Sequence, residues 1–273
     1  MEVPLTTGTQ PDAQPDTLNN GGKGALHDAC VKGDLNAIKL LINAGADVDV
    51  KSTNNSTPLL LAAEYGHQSC VEELISYGAD PTKRDNDGDS LVHVASLGGG
   101  LETLKFVLDL EGMSKLISSK NNVGQIPLHS AAKVGNIDCV ELLLAQDTRQ
   151  EDGEDSCFLV DEQDSQGKTP LHLAVEGGFS PVIEALIEAG ADLNIQNNDG
   201  KTCLHLLVTL WGSPEHPDKK VQTTNGFEPV VSRYPQYEPL TDKGAICTTF
   251  DASGDTPIHC TNTRRLWQLV VSR

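Results

Sequence analysis

"GKTPLHLAVEGGFSPVIEALIEAGADLN", residues 167–194, reads as one complete structural unit. Thr169 suits a helix N-cap and Pro170 the first helical position, where a missing N–H leaves no bond unmade. Leu171 and Ala174 then share one face, and Gly178 ends this short helix. Val182, Ile183, Leu186 and Ile187 recur at three-to-four spacing and predict a second helix with a single apolar face. Gly190 supplies the left-handed residue that closes it, and Asn198–Gly200 predicts a turn leading out of the unit.

The same grammar returns along the chain. With His172 as the phase marker, equivalent positions fall at His27, Leu60, His93, His129, His172, His205 and His259. Their spacings are 33, 33, 36, 43, 33 and 54, a period of 33 with insertions of 3, 10 and 21 residues. Such a period predicts a solenoid, in which each unit is too small to bury a core alone and stacking completes it. Ala62, Ala63, Ala131 and Ala132 stand where first helices must approach one another closely.

The strings TPLLLAAEYGH (57–67), IPLHSAAKVGN (126–136) and TPLHLAVEGG (169–178), with the GADVDV, GADPTK and GADLNI endings, resemble ankyrin repeats. The resemblance implies an all-α solenoid of helix-turn-helix units with protruding β-turn or hairpin tips. It implies six copies over residues 22–210 and an incomplete seventh over 251–273, after a disordered tail at 1–21. It also implies that the marker histidine bonds within its turn and to neighbouring backbone, a structural role. Some copies depart from the pattern. The first lacks Thr-Pro, as terminal copies facing solvent do. The third has Ser90 and Leu91 in their place, so its first helix is expected to be less firmly capped. The sixth runs into TLWGSPEHPD, whose prolines deny it an ordinary second helix, leaving it distorted or completed by sequence downstream. The truncated seventh copy suggests a fragment or one part of a longer protein.

Two segments interrupt the array. The acidic insertion lies at about 146–160; around it, residues 147–164 hold eight acidic residues and one Arg. It reads either as a solvated loop or as an acidic finger that holds a basic partner through Glu151, Asp152, Glu154 and Asp155. The second insertion, 211–250, carries five of the fourteen prolines and five of the eleven aromatics. It can dock on the stack, present Tyr234 and Tyr237 as a linear motif, or stay disordered.

Composition narrows the function. A net charge of −19 and a pI near 4.6 oppose nucleic acid and anionic membrane and favour a protein partner, including a basic one. No segment approaches the roughly 18 apolar residues of a membrane span, and no signal peptide opens the chain. Seven cysteines without a CxxC pair fit reduced thiols in the cytoplasm, with the nucleus as the other compartment. Asp85, Asp87 and Asp89 alternate as in a calcium loop, but the glycine and acid that complete one are missing, so the stretch reads as a turn. No phosphate loop and no oriented nucleophile–base set appears, so the chain is expected to be non-catalytic, with no cofactor and no metal.

The resemblance places partner binding on the turn tips and on the concave face of the first helices. At the tips this gives Lys51, Thr53 and Ser56, then Arg84, Asn86, Asp87 and Asp89. Lys120, Asn122 and Gln125 follow, then Gln163, Ser165 and Lys168, and last Gln196, Asn198 and Lys201. The helix face adds Glu64, Tyr65, Leu97, Lys133, Val134 and Glu176, with Tyr65 and Val134 as candidate anchors. The expected function is a protein–protein interaction scaffold, acting as a monomer or within a larger chain. The alternatives are the targeting arm of a larger signalling protein (kinase, ubiquitin ligase or channel) and an acidic inhibitor that masks a basic partner.

Overall fold

The computed structural model describes residues 16–98, 100–147, 159–211 and 249–256. The outer parts of the terminal tail and of both insertions, and residues 257–273 of the seventh copy, lie outside the described residues.

The described residues form helix pairs and no strand. The first unit has α1 (Ala25–Lys32) and α2 (Leu35–Asn43), the second α3 (Pro58–Glu64) and α4 (Gln68–Ser76), and the third α5 (Leu91–Leu97) and α6 (Leu101–Asp109). The fourth has α7 (Pro127–Val134) and α8 (Ile137–Asp147), and the fifth α9 (Pro170–Gly177) and α10 (Ser180–Glu188). The sixth contributes α11 (Cys203–Trp211). First helices pack in one row (α1, α3, α5, α7, α9, α11) and second helices in another. The three-residue insertion in the third unit becomes a 3-10 turn, Met113–Ser118, which buries Met113 and Ile117.

The unit quoted at the outset folds as its letters predict. Thr169 accepts from the His172 amide, Gly178 takes φ 72°, and Val182, Ile183, Leu186 and Ile187 are buried. Ala62, Ala63, Ala131, Ala132 and Ala174 have no exposed surface, because the first-helix row is packed through them. An added methylene there would force off-rotamer packing costing about 1–3 kcal/mol. Ser90 adopts φ −85° and ψ 170°, close to Thr169, and α5 is as long as α3, so the missing Thr-Pro does not shorten the third unit's helix.

Between units the chain makes tips of one design. Asn19, Asp85, Asn121, Asp164, Asn197 and Asp251 each use one side-chain oxygen to accept the amides two and four residues on. This Asx turn replaces a backbone turn with a side chain. Ser52, in the same register, accepts from the Ser56 amide. Residues 19–22 are therefore the first tip, of which 19–21 read from sequence as tail. Adjacent tips are joined by a single backbone bond each, from Thr53 to Gly22 through to Ala252 to Asp199, at 2.8–3.0 Å.

The marker histidines clamp unit to unit. In His27, His93, His129, His172 and His205, Nδ1 accepts the amide at the head of its own helix, at 3.0–3.3 Å. The proton therefore sits on Nε2, which donates to a carbonyl in the next tip: Ser56, Gln125, Lys168, Lys201 and Asp255, at 2.9–3.2 Å. Burial drives the pKa of His27, His93 and His172 down and takes His129 to about 4, so these rings are neutral clamps. The last clamp, from His205 to Asp255, shows that residues 251–256 keep the register of the tips fifty positions on.

Candidate functional site

Most tip residues named from the sequence hold the array together. Arg84 Nη1 donates to the Gly88 and Lys120 carbonyls, and Gln163 Nε2 to those of Gly167 and Gln196. Gln196 repeats the pattern with Gly200 and Phe250. Asn86, Asn122 and Asn198 each donate to the carbonyl of a residue in the preceding tip: Thr53, Asn86 and Ser165. Asp89 accepts from Asn121 at 2.7 Å, and Gln125 donates to Asp164 at 3.1 Å. Lys120 pairs with Glu162 and Lys168 with Glu176, each at 2.7 Å. These side chains are long and polar, which from sequence reads as solvent-facing. Most of them reach a partner about one period away.

A smaller set keeps its side chains out of that framework. Lys51, Thr53, Asp87 and Lys133 have exposed side chains, Tyr65 is 48% exposed and Val134 42%. Glu64, Tyr65 and Asp87 converge with Lys23, Leu61 and Asp85 on a cleft of about 390 Å³. Its floor is the end of α3, and its walls are the tips before and after the second unit. Glu64 is half-buried and makes no hydrogen bond among the described residues; burial raises its pKa, with Lys23 nearby acting in the opposite sense. Asp85 is likewise raised by burial, against the two amides of its turn. A carboxylate so placed gains from an added cation, which restores solvation that burial removed. Lys23 was not named from the sequence, and Asp85 was read there only as part of a turn, although the 33-residue period places Ser52 and Asp85 in the same register. Val123, 49% exposed at the next tip, also escaped notice.

The cleft lies within one unit design, repeated, that offers a long surface of tips and first helices and uses its buried imidazoles for architecture. This defines a helical repeat scaffold. A family model described as ankyrin repeats matches three stretches, residues 5–85, 81–153 and 156–216. The chain belongs to the ankyrin-repeat family, whose repeats are protein–protein interaction modules.

It is 31% identical over 195 residues to the human transient receptor potential cation channel subfamily A member 1, covering 69% of this chain and 16% of the channel. It is 35% identical over 197 residues to human palmitoyltransferase ZDHHC13, covering 71% of this chain and 29% of that protein. The chain thus spans less than a third of either relative. Among solved structures, the ankyrin repeat domain of Bcl-3, a member of the IkappaB protein family, aligns with TM-score 0.63 and 26% identity over 92% of this chain and 99% of that one. The human ASB11 ankyrin repeat domain aligns with TM-score 0.65 at 23% identity over 92% and 98%, a likeness of fold. No described helix is long and apolar enough to cross a membrane.

Proposed function

We propose that the chain is a non-catalytic scaffold that binds a protein segment carrying basic side chains on the tip-side face of its second to fourth units. The observation that carries this reading is the Glu64 cleft, where a half-buried carboxylate without a hydrogen bond lies beside the exposed Tyr65 ring. A lysine or arginine entering there meets Glu64, Asp85 and Asp87 and can lie against the aromatic face. Val134 and Val123 add apolar contacts further along, and rigid presentation of a preformed surface keeps the ordering cost low. Cys30, Cys70 and Cys203 are buried free thiols, which supports a reducing compartment, the cytoplasm or the nucleus.

Affinity capture with the full chain, followed by mass spectrometry, tests the reading through its variants. A partner recovered by the wild type is expected to be lost with Tyr65→Ala and weakened by Glu64→Gln, by Asp87→Asn and by high salt. Recovery unchanged by all three substitutions would sink the proposal. Loss on neutralising Glu151, Asp152, Glu154 and Asp155 instead would transfer recognition to the acidic segment and favour the inhibitor reading.

A second reading has its own support. The matched channel and palmitoyltransferase are several times longer than the matching stretch, so the array can serve as the targeting arm of a larger protein. Sequencing the complete transcript decides between a freestanding adaptor and such an arm.

A further inference from the structure

The first unit exposes a face whose first-helix columns are buried in the second to sixth units. Ala25 is exposed, whereas Pro58, Leu91, Pro127, Pro170 and Cys203, in the same register, are all buried. Asp28 is half-exposed where Leu61, Val94, Ser130, Leu173 and Leu206 are 5–7% exposed. Leu40 is 71% exposed, while Phe106, Leu142 and Ala185, its equivalents in the third to fifth units, pack against the core, and Glu73, its equivalent in the second, is half-buried and pairs with Lys39 of the preceding unit at 3.2 Å. In the later units these columns meet the preceding helix pair. In the first unit they line a cleft of about 430 Å³ between α1 and α2. The tip at Asn19 reaches only its edge, where Asn19 Nδ2 donates to Asp28 at 3.2 Å.

We propose that this face joins a second copy of the chain, two first units meeting about a two-fold axis near Leu40. The face continues the interface by which the array stacks, so its small apolar surface already suits a helix pair. Its rim also complements itself. Lys32 shares the rim with Asp28 and Asp34, so each copy offers a lysine to the other's carboxylates. Elsewhere a net charge of −19 makes two copies repel. Because the two-fold contact uses the same face on both chains, assembly stops at the dimer. The proposal departs from the expectation, read from the sequence, of a monomer or part of a larger chain.

Sedimentation velocity of the full chain at physiological salt, from about 1 to 100 µM, tests the proposal. A dimer is expected within that range, and Leu40→Glu is expected to raise the half-association concentration at least about tenfold. Thermal melting of Leu40→Glu should match that of the monomeric wild type, because the side chain is in solvent in the folded unit. Lys32→Glu should weaken association, and mixing it with an Asp28→Lys/Asp34→Lys variant should restore it. A wild type that stays monomeric throughout overturns the proposal. So does a dimer indifferent to Leu40→Glu, or a charge-swapped mixture that fails to recover.

Discussion

The second and fifth units share one fold and differ at three positions that govern their tips. The fifth has Asp164 to make the turn, Gly167 in the left-handed region at φ 73° and His172 to clamp the next tip. The second has Ser52, Asn55 at φ 57° and Leu60. Asn55 is the one described non-glycine residue with positive φ, and its amide donates to Asn86 instead. Leu60 is buried but donates nothing to Asp89, the carbonyl that a histidine would reach. The fully furnished unit is scaffold throughout, whereas the irregular unit carries the Glu64–Tyr65 cleft. Regularity and the proposed binding cleft thus occupy different units, and each can be altered separately.

The sharpest break in that comparison is His129→Ala. It leaves the buried Ile126 amide without its acceptor, takes one of two donors from the Lys168 carbonyl, which keeps the Asp164 amide, and opens a cavity, so urea denaturation should show a loss of about 2–4 kcal/mol. A loss below about 1 kcal/mol would mean that the clamp is dispensable.

Acid probes the same clamps without mutation. The unfolded chain takes up protons near pH 6.5, whereas His129 in the folded array does so only near pH 4. Its contribution is fully present above pH 6.5 and is lost as the pH falls towards 4, amounting to roughly 3 kcal/mol. His27, His93 and His172, also lowered by burial, act in the same direction. Denaturant midpoints measured from pH 7.5 to 4 should fall through this window, and a flat profile would contradict neutral clamps.

Gly167→Ala tests the tip of the fifth unit. A Cβ there would stand 2.6 Å from Asn198 Oδ1 and 2.8 Å from its amide nitrogen, in a left-handed conformation, so a loss of about 2 kcal/mol is expected in thermal unfolding. The converse change, Leu60→His, should give the second unit its missing clamp to Asp89. A gain of about 1 kcal/mol is expected at pH 7.5, vanishing near pH 5. No gain at either pH would show that Leu60 packing outweighs the added bond. Tyr65→Ala should move stability least, by within about 0.5 kcal/mol, while abolishing partner capture.

The helix pairs, their caps and the marker column could be read from the sequence because each is written in local spacing. Thr169-Pro170, the three-to-four pattern from Val182 to Ile187, and Gly190 all act within a few residues of themselves. Most of the first tip escaped because Asn19-Asn20-Gly21, just ahead of the first copy, has turn composition and no apolar periodicity, which reads as tail. The roles of Arg84, Gln163 and Asn198 escaped for another reason. A polar side chain on an edge looks alike whether it faces water or a carbonyl one unit away. The cleft needed coordinates, since Lys23, Glu64 and Asp85 belong to three different units.

The bond from His205 to Asp255 spans fifty positions of chain, yet it is the same bond that elsewhere spans twenty-nine. Address along this array is therefore set by contact and not by counting. Closure entropy rises only with the logarithm of loop length, so evolution can lengthen or rewrite an excursion at a tip for about 1 kcal/mol while every later tooth of the comb keeps its place. New cargo can be hung between teeth without redesigning the comb.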